Sequence, residues 1–165
     1  KILQNLKKKE LTKLMPKASV KRLIKCKKEQ LIDLVLDIEK YPIFVPFCLD
    51  SKVYERKEKG DLLLIIADLT IGKGPFKDTY KSDVLYNKKE SSILVKNING
   101  PLNYLLNKWT FIEQNNQTEV IFDIDFEIKN KFLNSLMAVS FQFGLEKIAD
   151  AFQKRAEELF DNSKN

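Results

Sequence analysis

Chemistry at neutral pH most often runs through histidine, and this chain of 165 residues has none. The commonest general base and metal ligand is therefore missing, and neither a Ser–His nor a Cys–His nucleophile can be assembled. The two cysteines, Cys26 and Cys48, lack metal-ligand spacing and are too few for a disulfide framework, which fits reduced, intracellular surroundings. Acid–base work by other groups would need ionisable side chains held inside the fold. Asp78 and Tyr80, two apart on one strand, are the candidates, and no paired carboxylates on a recognisable helix join them. Gly72-Lys-Gly74 has the outline of a phosphate cradle. A third glycine and a following helix are absent, and Pro75 removes a backbone donor, so a turn between strands is expected. Trp109, Phe111, Tyr104 and Tyr80 could stack nucleobases, but their region is not basic, and core aromatics are the expectation. The chain reads as a non-enzyme with no cofactor and no metal.

Charge is concentrated at one end. Residues 1–28 carry eleven Lys or Arg and one Glu, whereas the other 137 residues carry a net charge of −4. The overall +6 is thus a property of the N-terminal stretch and not a nucleic-acid signal from the whole chain. Residues 1–14, with Leu3, Leu6, Leu11 and Leu14 among lysines, read either as a basic amphipathic helix for an anionic membrane surface or as a solvated tail. Because the chain opens on Lys1, an upstream segment, such as an organellar targeting sequence, is expected to be missing.

The elements that must position any site follow from periodicity. A strand is expected over residues 18–26 and a helix over 28–38, where Leu31, Leu34, Val35 and Ile38 share a face. Pro42 and Pro46 then stiffen an aromatic segment, Tyr41 to Cys48, that either plugs the core or roofs a cavity. Five or six strands follow at hairpin spacing. The clearest is 118–128, with Val120, Phe122, Ile124, Phe126 and Ile128 on one side and acids on the other. Hairpin spacing without intervening helices implies an antiparallel sheet. The last element, 131–160, repeats Leu133, Met137, Phe141, Leu145, Ala149 and Phe152 on one helical face. Residues 132–145 contain no charge at all, so that half is expected to be covered on more than one side. The fold class is α+β: a curved antiparallel sheet gripping a long C-terminal helix, with two short helices after the first strand.

These elements supply more large side chains than one helix–sheet seam requires. A strongly curved sheet would leave the helix standing off its middle and enclose an apolar cavity for an apolar ligand, with Asp78, Ser82, Asn103 and Ser140 available to orient a polar head. A solid core is the alternative.

Residues Asp37 to Cys48, Ala67 to Gly72 with Phe76, Asn99-Gly100-Pro101-Leu102 leading to Trp109-Thr110-Phe111, Phe122 to Phe126, and Ala151-Phe152-Gln153-Lys154-Arg155-Ala156 together carry a resemblance. From about Met15 to Phe160 the chain resembles the coenzyme Q-binding START-domain proteins of the polyketide cyclase/START-like group, which shade into bacterial ribosome-association toxins. Phe47 and Leu102 depart from that pattern, where Trp and Phe are usual. The resemblance implies a helix-grip (START-like) domain over residues 15–161 behind a basic tail of residues 1–14. It implies a tunnel that holds a polyprenylated quinone, ubiquinone as bound ligand and not as catalytic cofactor, in a carrier or chaperone supporting respiration and quinone biosynthesis. Tyr41, Phe44, Val45, Pro46 and Phe47 would form the mouth or lid. Phe76, Tyr80, Leu102, Leu105 and Trp109 would form the sheet wall, and Leu136, Met137, Ser140, Phe141 and Leu145 the helix wall. Peripheral membrane contact through the basic tail is expected, at the matrix side of the mitochondrial inner membrane in a eukaryote or in a bacterial cytoplasm. The rival reading binds ribosomal subunits through Lys1–Lys28, and a third, an aromatase/cyclase-type enzyme, would rest on Asp78 and Tyr80.

Overall fold

The computed structural model describes residues 17–161, apart from the side chains of Phe76, Leu136, Met137 and Val139. The expectations for residues 1–14, a membrane-lying helix or a solvated tail, fall outside the described residues.

Strand β1 (Lys17–Ile24) leads into helix α1 (Lys28–Leu36), whose first turn is tied by the Lys27 amide donating to Gln30 Oε1 at 3.0 Å. A 3-10 turn (Ile38–Lys40) and the single-turn helix α2 (Tyr41–Phe44) follow. Pro42 sits at the start of α2, where its missing N–H costs nothing. Six strands then run as hairpins: β2 (Cys48–Lys59), β3 (Leu62–Lys73), β4 (Phe76–Asn87), β5 (Ser92–Asn99), β6 (Leu102–Gln114) and β7 (Gln117–Ile128). Helix α3 (Lys131–Phe160) closes the chain, its N-terminus capped by Asn130 Oδ1, which accepts from the Phe132 and Leu133 amides at 3.0 and 3.1 Å.

All seven strands form one antiparallel sheet in the order β1-β7-β6-β5-β4-β3-β2. The turns are those their residues demand. Asn115 and Asn116 both take positive φ, as a two-residue hairpin of the primed type requires. Gly74 at φ 62° turns β3 into β4, so Gly72-Lys-Gly74 is a turn and no phosphate cradle. Register shifts in β2, in the β4–β5 pair and at the start of β6 bend the sheet. Between β5 and β6 the pairing stops at Lys96 and Leu106. Asn97 spans the gap: its side-chain amide donates to the Leu102 carbonyl at 3.1 Å and its Oδ1 accepts from the Leu105 amide at 3.0 Å.

Helix α3 rests on β1 and β7, with α1 and α2 beside it. Its C-terminal half is the well-filled end. Leu145, Phe152 and Ala156 are buried there against Trp109, Phe111, Phe122 and the inner face of α1. Arg22 of β1 grips Asp150 of α3 through Nε and Nη2, at 3.2 and 3.1 Å. Thr118, fully buried, donates its hydroxyl to the Cys26 carbonyl at 2.8 Å and fixes the approach to α1.

The N-terminal half of α3 departs from expectation. Phe132 and Phe143 are 71% and 63% exposed, so the uncharged stretch is not covered all round. The neighbours needed for a second cover are absent among the described residues, because the sheet meets only one side of the helix. Leu23 and Leu159 are likewise about half exposed.

Candidate functional site

The inner face of the sheet divides into two halves. Around Trp109 the packing is dense: its ring lies 4.3 Å from Phe122 and 5.1 Å from Phe152, which in turn meets Phe44 at 5.1 Å and Tyr41 at 5.4 Å. The space lined by Val20, Trp109, Phe122, Ile148 and Phe152 amounts to about 10 Å³, room for one water molecule at most. Trp109 and Leu145, expected as tunnel walls, therefore belong to solid core here.

The other half lies toward the strand ends near α2. Leu69 and Tyr80 on the sheet, Ile124 and Ile128 on β7, and Phe141 on α3 are all only half-buried there, beside buried Leu105 and Phe126. Phe141 stacks edge-on to Phe126 at 4.6 Å. Segment α2 and the residues after it roof this region. Tyr41 and Phe44 meet at 6.1 Å, the Tyr41 hydroxyl donates to the Val35 carbonyl, and the Gly72 amide donates to the Phe47 carbonyl at 3.0 Å. Phe47 holds φ at 67°, a conformation that L side chains rarely adopt, and the Lys73 ammonium lies 5.8 Å from its ring centroid. Val45 and Pro46 are half-buried in the same roof. Arg155 of α3 reaches over the Phe44 ring at 5.8 Å and so pins the roof to the long helix.

Of the expected site residues, Tyr41 and Phe44 pack on Phe152 of the dense half, half-buried Val45, Pro46 and Phe47 continue the roof from them, and Tyr80, Leu105 and Phe141 lie toward the other half, with Leu102 at its edge. Phe76 opens β4 and Leu136 and Met137 lie in α3, but their side chains are outside the described residues. Ser140 is a correction: it is exposed on α3. Asp78 and Asn103, expected to point inward, are exposed too, and Asp78 Oδ1 accepts from the Thr79 amide at 2.8 Å. Both lie at strand ends, where alternation no longer places a residue under cover. Ser82 alone of that set is buried, and its hydroxyl donates to the Ala67 carbonyl at 3.2 Å. Ser51 was not singled out from the sequence, although it alternates with Val53 in β2 and so shares the inner face.

Gly100 shapes this half from below. Its φ is 124°, and a Cβ there would stand 2.8 Å from Tyr80 Cβ, so the β5–β6 turn can press on β4 only with glycine. Burial drives the Tyr80 hydroxyl pKa up, helped by Cys48 nearby. Burial likewise raises that of Tyr41, with smaller contributions from Tyr80, Cys48 and Asp37. These hydroxyls stay protonated through the physiological range and are hydrogen-bond donors, not bases.

The cysteines are equally inert. Burial, aided by the Glu157 carboxylate, pushes the Cys26 thiol up to about 11; burial, aided by Asp50, does the same for Cys48. A thiol whose pKa is raised on folding keeps its proton longer in the folded state. Its stabilising effect is complete below the unfolded thiol range near about pH 8.5 and is lost as pH climbs toward the folded value. Melting temperatures should thus fall between pH 9 and pH 10.5, and at pH 8 a thiol reagent should label the native protein on the order of a hundredfold slower than the unfolded chain. Rapid labelling of the native protein would contradict this.

Residues 24–154 match the family model described as polyketide cyclase / dehydrase and lipid transport. The chain is 30% identical to a ribosome association toxin of Rickettsia prowazekii over 141 residues, covering 84% of this chain and 94% of the toxin. It is 31% identical over 155 residues to the mitochondrial coenzyme Q-binding protein of Dictyostelium discoideum, covering 92% of this chain and 74% of that protein. Among solved structures, an 18 kDa protein from Caulobacter crescentus superimposes with a TM-score of 0.73 at 26% identity, over 87% of this chain and 97% of its own. An aromatase/cyclase from a Streptomyces species matches in fold with a TM-score of 0.72 at 13% identity, over 87% of this chain and 94% of its own. With a model matching from Ile24 to Lys154 and a seven-stranded sheet gripping a long final helix, the chain belongs to the polyketide cyclase / dehydrase and lipid transport family and has its START-like helix-grip fold.

Proposed function

We propose that this protein binds a polyprenylated quinone, ubiquinone (coenzyme Q) or a lipid like it, between the α2 end of the sheet and the N-terminal half of α3. It carries or presents that lipid without chemistry of its own, in support of respiratory electron transport and quinone biosynthesis. The observation behind this reading is the uneven filling of the grip. The void beside Trp109 amounts to only about 10 Å³, while toward the other end Leu69, Tyr80, Ile128 and Phe141 are left only half-buried. Isoprenoid carbons would cover them, each Å² removed from water contributing about 25 cal/mol before ordering costs. The name of the Dictyostelium relative supports the choice of lipid.

The lipid domain is proposed to span residues 15–161, behind the basic tail of residues 1–14. The tail joins the fold at Lys17, at the same sheet end as Ile43, Ile71 and Phe132, all exposed, and as Lys73 and Lys131. That end would meet an anionic bilayer, each lysine near its surface contributing up to about 1 kcal/mol. The protein would then act at the matrix side of the mitochondrial inner membrane in a eukaryote, or at the membrane from a bacterial cytoplasm. No described helix is long and apolar enough to cross a membrane.

Gentle purification from a membrane-containing source, followed by organic extraction and mass spectrometry, is expected to recover quinone in near-stoichiometric amount. Recovery of lipid-free protein that also takes up no quinone from vesicles would overturn the reading. The Rickettsia relative's name favours a second reading, ribosome association through residues 1–28. Salt-sensitive comigration with ribosomal subunits, lost on deleting residues 1–14, would support that one instead.

A further inference from the structure

Most polar side chains on the inner face of the sheet are engaged within the protein. Ser82 donates to Ala67, Asn97 bridges Leu102 and Leu105, and Thr118 donates to Cys26. Asn107 donates to the Asp123 carbonyl at 3.1 Å while its Oδ1 accepts from Trp109 Nε1 at 3.0 Å. Two are different. Ser51 Oγ is buried with no hydrogen-bond partner, and the Tyr80 hydroxyl, which is not sealed from solvent as Ser51 Oγ is, makes no hydrogen bond to a described residue. They are not scattered: Ser51 pairs with Leu69 across β2–β3, and Leu69 pairs with Tyr80 across β3–β4. The three form one row, and because Leu69 packs toward the core, the row faces inward. A buried hydroxyl without a partner carries a desolvation penalty, so an orphan of this kind in a native fold calls for a ligand or water to satisfy it.

We infer that Ser51 and Tyr80, flanking Leu69, form the polar subsite that receives the neutral, oxygen-bearing head of the bound lipid, its apolar tail lying toward Leu105, Phe126 and Phe141. This rests on the lipid-binding reading above and adds where the head sits and what kind of head it is.

The charge pattern selects a neutral head. Arg22 is occupied by Asp150, and Arg56 by Glu39 at 2.8 Å and the Leu36 carbonyl at 3.2 Å, whereas Arg155, its Nε buried without a hydrogen-bond partner, lies over the Phe44 ring of the roof. A carboxylate or phosphate beside Ser51 and Tyr80 would face Asp78 at the rim of the same strand face. Burying such a charge unpaired is costly. Two hydroxyls that remain protonated can instead donate to carbonyl or ether oxygens, of which a quinone ring carries several. Cys48 and Tyr41 lie close by, which places the head beneath the α2 roof.

The test compares the full chain with Ser51→Ala, Tyr80→Phe and the double variant, loaded from vesicles containing a short-chain ubiquinone, squalene or oleate and quantified by mass spectrometry. Neither substitution changes the volume much, and thermal unfolding of each variant confirms the fold. Wild type should prefer the quinone. Each single variant should lose about fivefold to tenfold in quinone affinity, the value of one net hydrogen bond, with squalene uptake unchanged. Equal losses for both lipids, no loss for either, or a preference for oleate would overturn the head-group assignment while leaving lipid binding intact. A wild-type protein that takes up none of the three would overturn the lipid-binding reading itself, and this assignment with it.

Discussion

Replacing Phe152 with alanine is expected to destabilise the protein by about 3–5 kcal/mol, the range for removing a buried aromatic that leaves a cavity behind. Phe152 is 3% exposed and its ring contacts Tyr41, Phe44 and Trp109, so it joins the α2 roof, the sheet and α3 at one point. The surroundings cannot collapse into the space easily. Trp109 is held on its other side by Phe122, and Phe44 is overlain by Arg155. Chemical denaturation monitored by Trp109 fluorescence should show a lower midpoint with an unchanged slope. A loss below about 1 kcal/mol would mean that the roof is not coupled to the core through this ring.

The second large effect concerns binding. Phe141→Asp should reduce quinone uptake more than a hundredfold, whereas Phe141→Leu should stay within about threefold. Phe141 is half-buried on α3, against Phe126, on the face proposed to meet the lipid. A carboxylate there would have either to lose its hydration or to stay solvated and hold the space open to water, and both exclude an isoprenoid chain. Leucine keeps the apolar surface. Because Phe141 is already partly exposed, the aspartate variant should remain folded, so its effect on uptake is separable from stability. Equal uptake by the aspartate variant and wild type would place the lipid elsewhere.

Much of this architecture was legible in residue order because its signals are local. The alternation of Val120, Phe122, Ile124, Phe126 and Ile128 specified a half-buried strand, Asn115-Asn116 its hairpin, and the spacing from Leu133 to Phe152 the final helix. Hairpin spacing without crossover helices then left an antiparallel sheet and one long helix to cover it. The resemblance carried by the Tyr41 to Cys48 segment added the family and the kind of ligand to expect.

What only the tertiary structure decided is which apolar residues fill the grip and which are left waiting. Periodicity assigns a face, but not whether another element reaches that face. Trp109 and Phe141 both read as inward aromatics, yet one is locked between Phe122 and Phe152 and the other is half-open beside Phe126. Ser51 and Ser82 are both small polar strand residues, yet Ser82 finds the Ala67 carbonyl and Ser51 Oγ finds no hydrogen-bond partner. Ser140, in the middle of the greasiest stretch, turns out to face solvent, as does Phe143. Such outcomes depend on where α3 crosses a bent sheet, a balance of contacts between residues distant in the chain, and local spacing carries no record of it.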